Sequence, residues 1–262
     1  MFRRDAEARP ALAFGHPRRR IIVRMANAGG DVLTEDSRRM SSNLIVSYDG
    51  TPNDDDALAL GRLLARTGAS LSLAYIRHSR EFDPAREELA EHDAVRRLEQ
   101  GALWLQEPDI PKHVVFSGST GEGLEQLAES ERAAAIVFGS DYRTSPGRAE
   151  PGTSAERLLG GGSVAIAVAA AGLRSVGDAQ IASIAVAPGG DSAAEQTAQA
   201  LAASLGASKV ELDGAPVDLI VVGSQPGAPS GRITLSGATR TLLNSASRGS
   251  VLVVPAGAPL SP

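Results

Sequence analysis

The apolar positions of this chain fall into two kinds of run that alternate along most of its length. Asn43-Leu-Ile-Val-Ser-Tyr48 is a nearly continuous apolar stretch and predicts a buried strand ending at Asp49-Gly50-Thr51-Pro52. Ala57, Leu60, Leu63 and Leu64 then recur at helical spacing and predict a helix capped by Asn53 and stopped by Gly68. Leu71–Ile76 predicts a second strand. A long helix is predicted over 84–105, with Leu89, Leu98, Ala102 and Leu105 inward and Trp104 in the core. His113–Ser117 predicts a third strand, and Ser119-Thr120-Gly121-Glu122 a capping box opening the next helix. Ala135–Gly139 predicts a fourth strand. A loop rich in Gly and Pro, a helix from about 154 and a strand over Val164–Val168 follow. Strands alternating with amphipathic helices predict an α/β fold, with a mostly parallel sheet covered on both faces.

Beyond residue 172 the pattern starts again. Ile181–Ala187 predicts a strand, Ser192–Leu205 a helix with a capping box at Ser192 and Glu195, and Gly206 its stop. Two strands, Val210–Leu212 and Val217–Gly223, come next, then a helix over 238–247 and the strand Val251–Val254. This second half is shorter, and a helix–strand–helix piece between its second and third strands is missing. The sequence therefore divides into an extension (1–42), a first unit (43–172) and a truncated second unit (173–262).

A repeat at constant offset supports two related units. Gly139-Ser140 matches Gly223-Ser224, Gly147-Arg148 matches Gly231-Arg232, and Leu158-Leu159 matches Leu242-Leu243, each pair 84 residues apart. In both places a strand feeds a Gly-Ser-x6-Gly-Arg loop, then a helix, then an apolar strand opening with Ser-Val.

Composition removes several function classes. The chain of 262 residues has no cysteine, which excludes disulfides, thiolate metal sites and cysteine nucleophiles and fits a cytoplasmic protein. Its four histidines are His16, His78, His92 and His113, and its last aromatic residue is Tyr142. The last 120 residues thus lack Cys, His and every aromatic type, which favours a binding module over an enzyme. His78, His92 and His113 lack ligand spacing and are expected at strand ends or on the surface. Residues 43–172 hold 12 basic against 20 acidic residues, a poor surface for nucleic acid. No apolar run reaches the length of a membrane span. Residues 1–42 carry nine Arg against five acids and lack sustained periodicity. They read either as a disordered extension, with initiation at Met1, Met25 or Met40, or as a basic arm for an acidic partner.

The chemistry concentrates at one predicted edge. A strand that feeds a glycine-bearing loop and then a helix presents free amides and a positive dipole end, an arrangement suited to phosphate. Gly139 lies where open α/β sheets take ligands, and Gly152-Thr153 lies at the helix start. Thr153 either contacts phosphate or closes a capping box with Glu156. Asp49, at the same edge, either accepts from an adenine amino group or ribose or serves the turn. Asp54, Asp55 and Asp56 read as a solvated first helical turn rather than a metal site.

Asp-Gly-Thr after the first strand, Val137-Phe138-Gly139-Ser140 at the fourth and Gly152-Thr153 beyond it resemble the universal stress protein family, in its tandem actinobacterial form. The resemblance is good over 43–172 and weaker over 181–255. It implies two Rossmann-like units of the adenine nucleotide alpha hydrolase type. Their last strands would pair in an intramolecular pseudo-dimer. It further implies ATP, with Mg, held by Asp49, Ile76, Phe138, Gly139, Gly152 and Thr153, with Ser154 beside the phosphates. Tyr142 replaces the second glycine of the family's loop, so the pocket is either crowded or reached by a path through Gly147. In the second unit the Asp49 position falls on Gly189, and the loop reads Ser236-Gly237-Ala238, so only the first unit is expected to bind nucleotide. The implied function is a non-enzymatic stress regulator with an unidentified protein partner, as a pseudo-dimer alone or as a homodimer. The alternative is a nucleotide-free interaction module of the same fold.

Overall fold

The structure, a computed structural model, describes residues 22–23, 42–245 and 249–260. The readings made for the rest of the N-terminal extension, including Met25 and Met40, lie outside the described residues. Strand β1 (Ile22–Val23) is followed by β2 (Asn43–Ser47), α1 (Pro52–Ala65), β3 (Ser70–Arg77), α2 (Pro84–Leu105), β4 (Lys112–Phe116), α3 (Thr120–Glu131), β5 (Ala133–Phe138), α4 (Thr153–Leu159) and β6 (Ala165–Val168). The second half comprises β7 (Ser183–Val186), α5 (Ser192–Leu205), β8 (Ser208–Val210), β9 (Leu219–Val222), α6 (Gly237–Ser245) and β10 (Ser250–Val253).

The ten strands of the described residues form one sheet in the order β1-β4-β3-β2-β5-β6-β10-β9-β7-β8. Within each half the long strands run parallel, as right-handed crossovers through helices require. The halves meet where β6 and β10 pair antiparallel, Val251 opposite Val168 and Val253 opposite Ile166. This is the pseudo-dimer that the resemblance implies. No counterpart of α2, β4 and α3 stands between β8 and β9.

Alternation along the strands sorts the core into two layers. Leu44, Val46 and Val137 face α1 and α2, and Leu219 and Leu252 continue that layer to α5. Ile45, Ile136, Ile166, Ile220 and Val253 face the other way, against Leu124, Leu127, Leu158 and Leu243 of α3, α4 and α6. Both layers cross the β6–β10 seam, so the two units share one continuous interior.

Several local expectations change. Thr51, not Asn53, precedes α1, because Pro52 takes the first helical position. Asp191 likewise precedes α5 in place of Ser192. Leu89 points outward at 70% exposure, on the side of α2 opposite Leu98. Trp104 is half-buried against the core layer of α1 and α2, beneath the Arg62 guanidinium, 5.0 Å from its ring centre. His113 is buried within β4, where desolvation holds its pKa down and its Nδ1 has no partner among the described residues. Asp56 is no part of a solvated turn. It is fully buried and accepts from the Gly172 amide (2.9 Å), the Arg174 amide (2.8 Å) and Arg174 Nη1 (2.6 Å), tying the segment after β6 to α1.

Candidate functional site

The carboxyl ends of β2 and β5 lie side by side, and the connections leaving them run to opposite faces of the sheet. That is the switch point at which open α/β sheets form a ligand crevice. Asp49 stands there at the end of the β2 chain segment. Its amide donates to Asp54 Oδ2 (3.1 Å), which also accepts from the amide and hydroxyl of Thr51 (2.9 and 2.8 Å). Its carbonyl oxygen accepts from Arg97 Nη1 of α2 (2.9 Å). Arg97 is held in turn by Asp93 and lies over the Tyr75 ring. The backbone of Asp49 is therefore fixed on both sides, while its carboxylate accepts no hydrogen bond from any described residue. Desolvation, and then the charge of Asp54, push the Asp49 carboxyl above the usual carboxylate range, against the opposing pull of Arg97 and His78.

Asn53 links this turn to β5. Its Nδ2 donates to the Ser140 carbonyl (2.9 Å), and its own carbonyl lies so close to Gly139 that a Cβ there would sit 2.1 Å from it. Gly139 is thus a glycine because α1 begins against it. An antiparallel bridge from Ser140 to Pro151 brings Gly152 and the start of α4 to the same edge. Gly152 takes the N-cap position without a side-chain bond, so the Thr153–Glu156 capping box does not form. The amides of Thr153 and Ser154, at the head of the helix, have no partner among the described residues. Asp49, Gly139, Gly152, Thr153 and Ser154 therefore share one rim. Ile76 and Phe138, near the ends of β3 and β5, are buried.

The Gly-Ser-x6-Gly-Arg loop proves to be an internal clamp. Ser140 Oγ donates to Ala169 O (2.7 Å) and accepts from the Glu150 amide (3.1 Å), while Gly147 donates to Ala171 O (2.8 Å). The repeat makes the same bonds: Ser224 Oγ to Val254 O (3.1 Å), Thr234 amide to Ser224 Oγ (3.2 Å) and Gly231 to Ala256 O (2.8 Å). Gly147 and Gly231 both adopt positive φ, +80° and +70°. The strongest repeat in the sequence therefore records how each loop is locked to its last strand. Tyr142 lies 72% exposed on the first loop, packed with Arg143, and is not turned into the interior.

Three participants were not legible in the sequence as crevice groups. Arg97 is 48 residues from the carbonyl it holds. Asn53 reads as a cap. His78, exposed beyond β3, donates from Nδ1 to Ser117 O (3.2 Å), and its Nε2 lies 3.3 Å from Thr120 Oγ1. In the second unit a carboxylate does stand at the corresponding edge. It belongs to Asp191, whose Oδ2 accepts from the Gly257 amide (2.7 Å), and a Cβ on Gly190 would lie 2.8 Å from Gly223 Cα. Its other oxygen, Oδ1, is buried with no partner among the described residues.

The model of the Universal stress protein family matches residues 40–170. The chain belongs to the universal stress protein family. Among solved structures it is similar to a universal stress protein from Archaeoglobus fulgidus DSM 4304, at 13% identity and TM-score 0.61, over 83% of this chain and all of that one (100%). It is also similar to a functionally unknown protein from Pseudomonas aeruginosa PAO1, at 14% identity and TM-score 0.52, over 82% of this chain and 93% of the other. At these identities the likeness concerns the fold. No curated protein matches at a significant level. No helix among the described residues of this universal stress protein is long and apolar enough to cross a membrane. No described group of three or more His, Asp or Glu residues is placed to hold a metal ion.

Proposed function

We propose that this universal stress protein is a regulator that holds an adenine nucleotide, ATP with Mg, in the crevice of its first unit alone. One observation carries the reading: at the switch point the exposed Asp49 carboxylate accepts no hydrogen bond from a described residue while both sides of its backbone are fixed. A carboxylate so placed accepts hydrogen bonds from ligand N–H or O–H groups, here an adenine amino group or a ribose hydroxyl. The backbone of Ile76, Phe138 and Gly139 would border the base and sugar. The amides of Gly152, Thr153 and Ser154 would face the phosphates.

On this reading residues 43–172 form the nucleotide domain and 173–262 a partner domain that supplies structure. The Gly257 amide on Asp191 Oδ2 and the close approach of Gly190 to Gly223 favour one site over two. The protein acts by binding, in the cytoplasm, with a protein partner that reads its occupancy. The nucleotide-free alternative needs Tyr142 to fill the pocket, and its 72% exposure speaks against that. Calorimetric titration with ATP–Mg and mass spectrometry of ligand released from purified protein test the proposal. The expected outcome is one site per chain, lost in Asp49→Ala. Silence in both measurements rejects it.

A further inference from the structure

At the edge where β6 ends and β10 begins, the two units leave a cavity of about 720 Å³ between them. Leu63 of α1, Leu173 and Ile181 of the segment joining the units, and Val217 before β9 give it apolar walls. Val176 lines it too, yet remains 56% exposed. Elsewhere between the units, around Leu44, Leu201, Leu252 and Leu260, only about 10 Å³ remains, so the opening is not a general looseness of the seam. The cavity is preformed. Gly147 donates to Ala171 O and its carbonyl accepts from the Gly249 amide, each at 2.8 Å, which ties one wall loop to the joining segment and to the second unit. Asp56 holds the Gly172 and Arg174 amides of that segment.

We propose that this cavity binds a small carboxylic acid with an apolar body. Its volume falls within the roughly 300–1,000 Å³ of small-molecule pockets, which gather at domain interfaces and combine apolar walls with few polar groups. The charged residues that line it decide the sign of the ligand. They are Arg148 and Asp218. Asp218 Oδ2 already accepts from the Ala182 amide (3.0 Å) and from the amide and hydroxyl of Ser183 (both 2.8 Å). Arg148 Nε has the Glu150 carboxylate at 4.0 Å, a distance of charge attraction rather than of a hydrogen bond. A ligand carboxylate beside Arg148 accepts from the guanidinium fork. Ser145 and Gln180 line the same cavity, and their side chains bond to no described residue. The cavity shares no lining residue with the rim of Asp49, Gly139, Gly152, Thr153 and Ser154, so the proposal does not depend on nucleotide binding.

Calorimetric titration of the full chain with octanoate, and with 1-octanol as its uncharged counterpart, tests the proposal. Octanoate is expected at one site per chain, about tenfold more tightly than 1-octanol, the ratio of a hydrogen bond to a charged group. Arg148→Gln should remove that ratio and leave 1-octanol unchanged. Ala179→Phe, which adds a ring to a lining residue on irregular chain, should abolish both. A diazirine analogue of octanoate should label peptides spanning 170–181 or 216–218, in competition with octanoate and not with ATP. Circular dichroism checks the fold of each variant, and labelling of the wild-type chain decides alone if a variant misfolds. Absence of octanoate binding at millimolar concentration overturns the proposal. Equal affinities for octanoate and 1-octanol, labelling confined to the crevice, or binding indifferent to both substitutions overturn it as well.

Discussion

Arg97 Nη1 donates to the carbonyl oxygen of Asp49 across 2.9 Å, so a residue of the long second helix holds the turn that carries the crevice carboxylate. The contact does two things. It fixes the peptide beyond Asp49, and it places a cation near a carboxyl that desolvation has already raised.

Replacement of Asp49 by Asn is expected to separate function from stability. The folded carboxyl titrates above its unfolded value, so its ionised form costs stability as pH rises through that interval, in full above the folded pKa. Below the unfolded value of about 3.9 the cost is absent. Asp49→Asn should therefore melt higher than wild type at pH 7 and equal to it near pH 3, while losing ATP. Paired thermal melts at the two pH values check this, and an unchanged or lower Tm at pH 7 contradicts it.

Removing the cation should act in the opposite sense on the same group. Arg97→Gln takes away the strongest opposing charge on the Asp49 carboxyl, so its titration should move further up. Carbon-detected NMR of the Asp49 carboxyl, with and without the substitution, reads this without any nucleotide. If ATP binds, Arg97→Gln should weaken it more at pH 5.5 than at pH 8.

The two serine clamps offer an internal comparison. Ser140→Ala and Ser224→Ala each strand a loop amide and lose a bond to the last strand, at a cost of about 1–3 kcal/mol. Urea denaturation should show similar losses for both. Only Ser140→Ala should also lower ATP affinity, because only that clamp carries the Gly152–Ser154 rim.

Asp56 gives a larger stability effect. Asp56→Ala leaves two amides and the Arg174 guanidinium without their acceptor, and about 3 kcal/mol of destabilisation is expected. A loss under about 1 kcal/mol in chemical denaturation would mean that the segment after β6 finds other partners.

Tyr142→Gly should leave ATP affinity within about twofold, since the ring already lies outside the crevice. A large gain would instead reveal a ring that blocks the site in solution.

Much of the architecture was written in local pattern. The runs over 43–48, 71–76 and 135–139 lie within two residues of the strands found, and the helices over 84–105 and 192–205 match, because burial of strands and of one helix face leaves period and length in the sequence. The errors have equally local causes. Asn53 looked like a cap until Pro52 took the first turn. Leu89 fell into the apolar helical period of α2, yet it lies half a turn from Leu98. The acidic run Asp54–Asp56 looked uniform, although successive helical positions point in different directions. One carboxylate there closes the Asp49 turn, one accepts from Tyr48, and one is sealed beneath Arg174.

The repeat shows the boundary most clearly. By itself the sequence determined that the alternation of strands and helices restarts after residue 172, and which residues end the strands at the crevice edge. It could not tell a phosphate loop from a clamp, since glycine at positive φ and a buried serine serve either role. Only tertiary structure decided that Ser140 and Ser224 hold their loops to the last strands. It alone decided that Arg97 and Asp54 fix Asp49 from both sides, and that Asp191 is occupied by the chain's own C-terminal segment. The physical reason is range. Periodicity is set by neighbours three or four residues away, whereas the Asp49 backbone carbonyl and the Asp191 carboxylate are held by groups 48 and 66 residues distant that only the folded chain brings within 3 Å.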